Sequence, residues 1–76
     1  MSDNYDRERA VMLRDLTASY VKEMKEAVAE LDDELEGQDP YELDMDKIAF
    51  ALGTVISASD LARKYYGDLF SLVQSA

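Results

Sequence analysis

The 76-residue chain has no cysteine, no histidine and no tryptophan, a single proline, three glycines, and no basic residue anywhere between Glu26 and Asp46. Each absence removes a class of structure or chemistry. Without thiols and imidazoles there are no disulfides, no zinc site built on those ligands, and no cysteine nucleophile or histidine base. The chain is therefore expected to be no enzyme and to carry no cofactor or metal. No uncharged run exceeds the 12 residues from Ile48 to Ser59, a length that suits a buried helix segment better than a membrane span. The opening Met1-Ser2-Asp3-Asn4, with charges recurring through Arg14, lacks the basic and apolar blocks of a signal peptide. A soluble cytoplasmic protein is expected.

A chain this short buries only about 60% of the surface exposed when unfolded, and a core of that size rarely supplies more than about 3–5 kcal/mol. With disulfides and His- or Cys-based metal sites excluded, a second copy of the chain is the remaining reinforcement.

What is present is charge, in one place. The chain holds 8 basic and 17 acidic residues, a net charge of −9, and 10 of the acids lie between Glu26 and Asp46. That 21-residue stretch carries −10, and the other 55 residues sum to +1. Such a field disfavours direct binding to nucleic acid or to an anionic membrane and favours a basic protein surface or cations.

Apolar periodicity predicts helices on both sides of the acidic stretch. Leu13, Leu16, Tyr20, Met24, Val28, Leu31 and Leu35 recur at gaps of three and four, the signature of one buried helix face. Asp3 or Asn4 offers a cap at its start, and Gly37 suits the left-handed position after its end. Helix one is expected over residues 4–36 and an acidic connection over 37–44. In Asp39-Pro40-Tyr41-Glu42, a capping side chain precedes a proline at the first helical position, and a glutamate follows three residues after the cap. Asp44 offers a second cap, so helix two starts at Pro40 or at Met45 and runs to about residue 74.

Helix two carries a heptad seam: Tyr41, Met45, Ile48, Leu52, Val55, Ser59, Ala62, Tyr66, Leu69 and Val73 alternate gaps of four and three. With Met45 as position a, the a, d, e and g sites through Val73 number 17, and only Ser59 and Arg63 among them are not apolar. An arc that wide touches more than one neighbouring helix. The expectation is an all-α single domain: an antiparallel two-helix hairpin that dimerises into a four-helix bundle. Met45, Ile48, Leu52, Val55, Ile56, Ala62, Tyr66, Leu69, Phe70 and Val73 would form its dimer and core seam. Pairing about a centre near Gln38 would set Arg63 beside Arg14 and Asp15, with an ion pair to Asp15. The same pairing would set Tyr20 against Ser57 and Ala58, and Tyr65-Tyr66 against Ala10, Val11 and Leu13.

Two surfaces are candidate partner sites. The first is the acidic tip, Glu30, Asp32, Asp33, Glu34, Glu36 and Asp39. Its acids near the end of helix one oppose the helix dipole, and a local rule broken in this way points to a working site. The run from Asp32 resembles the start of a calcium loop in oxygen ligands and in Gly37, but its twelfth position, which needs a glutamate, is Leu43. The second is the outer face of helix two, where Phe50 and Leu61 flank the small residues Gly53, Thr54 and Ser57. The reading that follows is a non-enzymatic interaction module of the size of phage-like accessory proteins: a small regulator or inhibitor that occludes a protein partner. Alternatives are a structural component of a larger helical assembly, or an acidic mimic of nucleic acid that blocks a DNA- or RNA-binding protein.

Overall fold

The computed structural model describes residues 2–36 and 39–75. Two helices account for nearly all of them: α1, Ser2–Leu35, and α2, Met45–Ser75, packed antiparallel as a rod of 60 × 15 × 14 Å. The all-helical hairpin anticipated from periodicity is thus the fold. Gly37 and Gln38, expected to end helix one and to centre the hairpin, lie outside the described residues. Asp3 and Asn4, offered as caps, fall inside α1.

The connection consumes more chain than a tight turn. Asp39 caps a short 3-10 turn over Pro40–Glu42, its carboxylate accepting from the Tyr41 amide at 3.0 Å. Asp44 caps α2, accepting from the Lys47 amide at 3.1 Å. Proline and the first cap produce only the turn, and α2 begins at the later of the two possible starts.

That length shifts the register. On α1 the residues turned toward α2 are Ala10, Leu13, Thr17, Tyr20, Met24, Ala27, Leu31 and Glu34; on α2 they are Ile48, Ala51, Val55, Ala58, Ala62, Tyr65, Leu69 and Leu72. Both rows alternate gaps of three and four, and together they are centred near Tyr41 rather than Gln38. Tyr20 therefore stacks on Tyr65, ring centroids 5.9 Å apart and planes within 7°, instead of facing Ser57 and Ala58. Tyr66 turns outward beside Phe70, so the pair Tyr65-Tyr66 does not pack together on Ala10, Val11 and Leu13. Arg14 pairs with its own neighbour Asp15 at 3.1 Å, and Arg63 makes no ion pair among the described residues, so the expected Arg63–Asp15 bridge is absent.

The seam is built from small residues. Among the described residues only Leu13, Ala27, Ile48, Ala51, Ala58 and Ala62 are buried, four of the six being alanine. Read outward from the connection, large and small alternate across it, with Leu31 near the level of Ala51, Met24 near Ala58 and Tyr20 near Ala62. Alanine lets two helix backbones approach closely and lets a large side chain opposite fill the space. Thr17, the polar residue in the middle of the α1 row, donates its hydroxyl to the Leu13 carbonyl at 2.8 Å.

In heptad terms the hairpin contact runs along the d and g positions of α2, a rotation of about 50° from the a and d seam. The large side chains are consequently not the ones spent on it. Of the residues expected on the seam, Ile48 and Ala62 are buried and Val55 and Leu69 half-buried, whereas Met45, Leu52, Ile56, Tyr66, Phe70 and Val73 are exposed.

Gly67 lies on the outer side of α2, and a Cβ added there meets nothing within 4 Å. Replacing glycine by alanine inside a helix removes unfolded-state entropy worth about 0.5–1 kcal/mol. Gly67→Ala should raise the thermal midpoint by a few degrees in circular dichroism. Ala58→Leu should lower it, because overpacking a filled seam costs about 1–3 kcal/mol.

Candidate interaction surfaces

The two long sides of the rod differ. Val21, Val28 and Leu35 each follow a seam residue of α1 by one position; Leu52, Ser59, Tyr66 and Val73 do the same on α2. In an antiparallel pair of right-handed helices, rows that follow the seam in this way fall on one side, and rows that precede it fall on the other. Glu23 and Thr54, one from each preceding row, indeed line a common groove. The following rows, with Ile56 and Phe70 one step further round α2, make a continuous apolar side.

This side is exposed along its length. Val28 is 51% exposed, Ile56 63% and Phe70 51%, and an open depression of ≈ 530 Å³ on its α1 edge is lined by Val21, Met24, Lys25, Val28, Ala29 and Asp32. Monomeric soluble proteins seldom leave an apolar strip of this extent in water. Among the charges within it, Arg14 and Arg63 lie toward the open end of the hairpin and Asp32 toward the connection.

The opposite side is largely polar and carries a shallow groove of ≈ 330 Å³ lined by Glu23, Phe50, Gly53, Thr54 and Ser57. Three of the four residues singled out on the outer face of helix two, Phe50, Gly53 and Ser57, are brought together there. Leu61 is half-buried further along and does not line it. Phe50 stands 76% exposed at the rim, and Gly53 keeps the floor open, since nothing lies within 4 Å of a Cβ built on it. Thr54, from the same face, joins them, whereas Glu23 was not singled out, because membership of the groove from α1 depends on how the two helices are placed.

At the tip the acids divide by task. Asp39 and Asp44 are consumed as caps, and half-buried Glu34 pairs with Lys47 at 3.6 Å. Glu30, Asp32, Asp33 and Glu36 are exposed and make no ion pair among the described residues. Asp32, Asp33 and Glu34 are helical rather than looped, so their carboxylates fan around the axis. Among the described residues no three His, Cys, Asp or Glu side chains stand close enough to hold a metal ion, and no helix is long and apolar enough to cross a membrane. The last turn of α1 has no basic residue, so these acids meet the carbonyl end of the helix unrelieved.

Compared with known proteins, the chain matches no family model, no curated protein and no solved structure.

The caps and the uncapped acids should respond oppositely to substitution. Asp44→Ala should destabilise by about 0.5–2 kcal/mol through loss of the cap. Glu36→Lys should stabilise by about 0.3–1 kcal/mol, because a cation suits a helix C-terminus. Chemical denaturation of both variants at low ionic strength measures the two signs together.

Proposed function

We propose that the chain is a non-enzymatic protein-interaction module: it dimerises through its apolar side into a four-helix bundle, and the bundle docks on a protein partner and occludes it. The observation that carries the dimer is the exposed apolar side. The area agrees with it. The hairpin exposes 6095 Å², against about 4,700 Å² for a compact monomer of its mass. The excess exceeds the roughly 800 Å² that each member of a stable pair buries.

The docking reading rests on what remains outside once that side is covered. The groove beside Phe50 lies on the opposite side, and the acidic tip lies at one end, with Asp32 alone of its named acids on the edge of the apolar depression. The tip would steer a basic protein surface through long-range attraction, which governs association rate and its salt dependence. Phe50, an aromatic side chain over an open groove, would supply the apolar anchor that sets the lifetime of the complex. A cytoplasmic regulator or inhibitor of another protein is the role this combination suits.

Sedimentation should give twice the 8.6 kDa chain mass. The double variant Ile56→Glu, Phe70→Glu should lose that mass, either as a helical monomer or with loss of helix; an unchanged dimer would sink the assignment of the face. For docking, affinity capture by the wild-type chain is compared with Glu30→Lys, Asp33→Lys, Glu36→Lys and with Phe50→Ala. The reversed tip should slow association and flatten its salt dependence, and Phe50→Ala should speed dissociation. A captured protein indifferent to both changes would overturn both site assignments.

A further inference from the structure

We infer that the second copy lies antiparallel along the apolar side, with the two acidic tips at opposite ends of the bundle. The inference rests on the dimer reading above and goes beyond it by fixing orientation, which the apolar pattern alone leaves open.

The argument is electrostatic and geometric. The apolar side runs nearly the full length of the 60 Å rod, from Val73 and Phe70 near the open end, past Val21 and Ser59 at mid-length, to Leu35 and Met45 at the connection. A partner can cover all of it in either of two orientations. Tips together would set two segments of −10 side by side. Like charges so placed repel strongly at low ionic strength and still oppose one another across a Debye length of about 8 Å at physiological salt.

Tips apart removes that repulsion. The open half of each hairpin, where Arg7, Arg9, Arg14, Arg63 and Lys64 nearly balance the acids among them, then lies along the acidic half of its partner in place of a second acidic tip. Within the apolar side itself, Arg14 and Arg63 sit on the open half, and Asp32 sits with Lys25 on the tip half, so a two-fold axis near Ser59 carries Arg14 to the level of the partner's Asp32. Arg63, exposed in the middle of an otherwise apolar row and without an ion pair among the described residues, is drawn toward the partner's acidic half by the same rotation. Ser59 is the smallest side chain of its row, and it stands where the crossing copies come closest.

The chain has no cysteine, so single-cysteine variants carry one spin label each at a chosen place. Glu36→Cys labels the tip, and Ser71→Cys the outer side of α2 near the open end; both positions are exposed. For Glu36→Cys dimers, pulsed dipolar spectroscopy should read a separation of about 40 Å, from 27 residues of helix between equivalent labels at 1.5 Å each. In mixed dimers of the two variants, Glu36 and Ser71 labels should lie within about 25 Å, two helix diameters. A Glu36 pair within about 25 Å overturns the orientation while leaving the dimer standing. Monomer mass with no dipolar signal overturns the dimer and the orientation with it. Raising salt from low to physiological should change dimer affinity little, or weaken it, in the antiparallel arrangement; a large gain of affinity with salt marks tip-to-tip repulsion and rejects it.

Discussion

The hairpin depends on the close approach of two helix backbones along an alanine-lined seam. Ala27, Ala51, Ala58 and Ala62 are among its most buried residues, and they contribute little apolar area themselves. Their effect is geometric: they bring the helices near enough for Tyr20, Met24 and Leu31 to fill the opposing spaces. Seams of this kind specify alignment well and stabilise weakly, because burying an alanine removes far less apolar surface from water than burying a leucine or isoleucine. The larger side chains are thereby left for contacts outside the hairpin.

That division organises the surface. One long side collects Val21, Val28, Leu35, Leu52, Ile56, Tyr66, Phe70 and Val73, and the other carries the groove beside Phe50. The acidic stretch occupies one end, where Glu34 pairs with Lys47 while the acids at the end of α1 run against the helix dipole. Apolar cohesion and charge thus act along perpendicular directions of the same rod: cohesion across its width, charge along its length.

Much of the fold was legible in the sequence because helix periodicity, the acidic break and the Asp-Pro signal are local features. The hairpin follows from them directly. Rotation and register were not, for two physical reasons. An arc of 17 positions with only Ser59 and Arg63 polar contains several equally regular seams, and a periodicity argument picks the one with the largest residues. Close packing chose Ala51, Ala58 and Tyr65 over Leu52, Ser59 and Tyr66. Register failed because the number of residues used by the connection rests on whether Asp39 caps a helix or a short turn, a choice that one cap motif does not decide. The same rotation explains the candidate surfaces. Phe50, Gly53, Thr54 and Ser57 were found from helix two alone, whereas Glu23, which needs both helices placed, was not.

The position of the acids also bears on how the hairpin comes to form. Pairings next to the connection, such as Glu34 with Lys47, close the shortest loop and lose the least chain entropy, whereas those near Ala10 and Leu72 must wait for the ends to be brought together. Zippering from the connection outward is therefore the natural route. Yet the connection is where unpaired like charges are densest, and it is bounded by the cap-held turn at Asp39 and Asp44. The step that topology makes easiest is the one electrostatics opposes, so ions in solution act on the nucleus of this fold before they act on anything it binds.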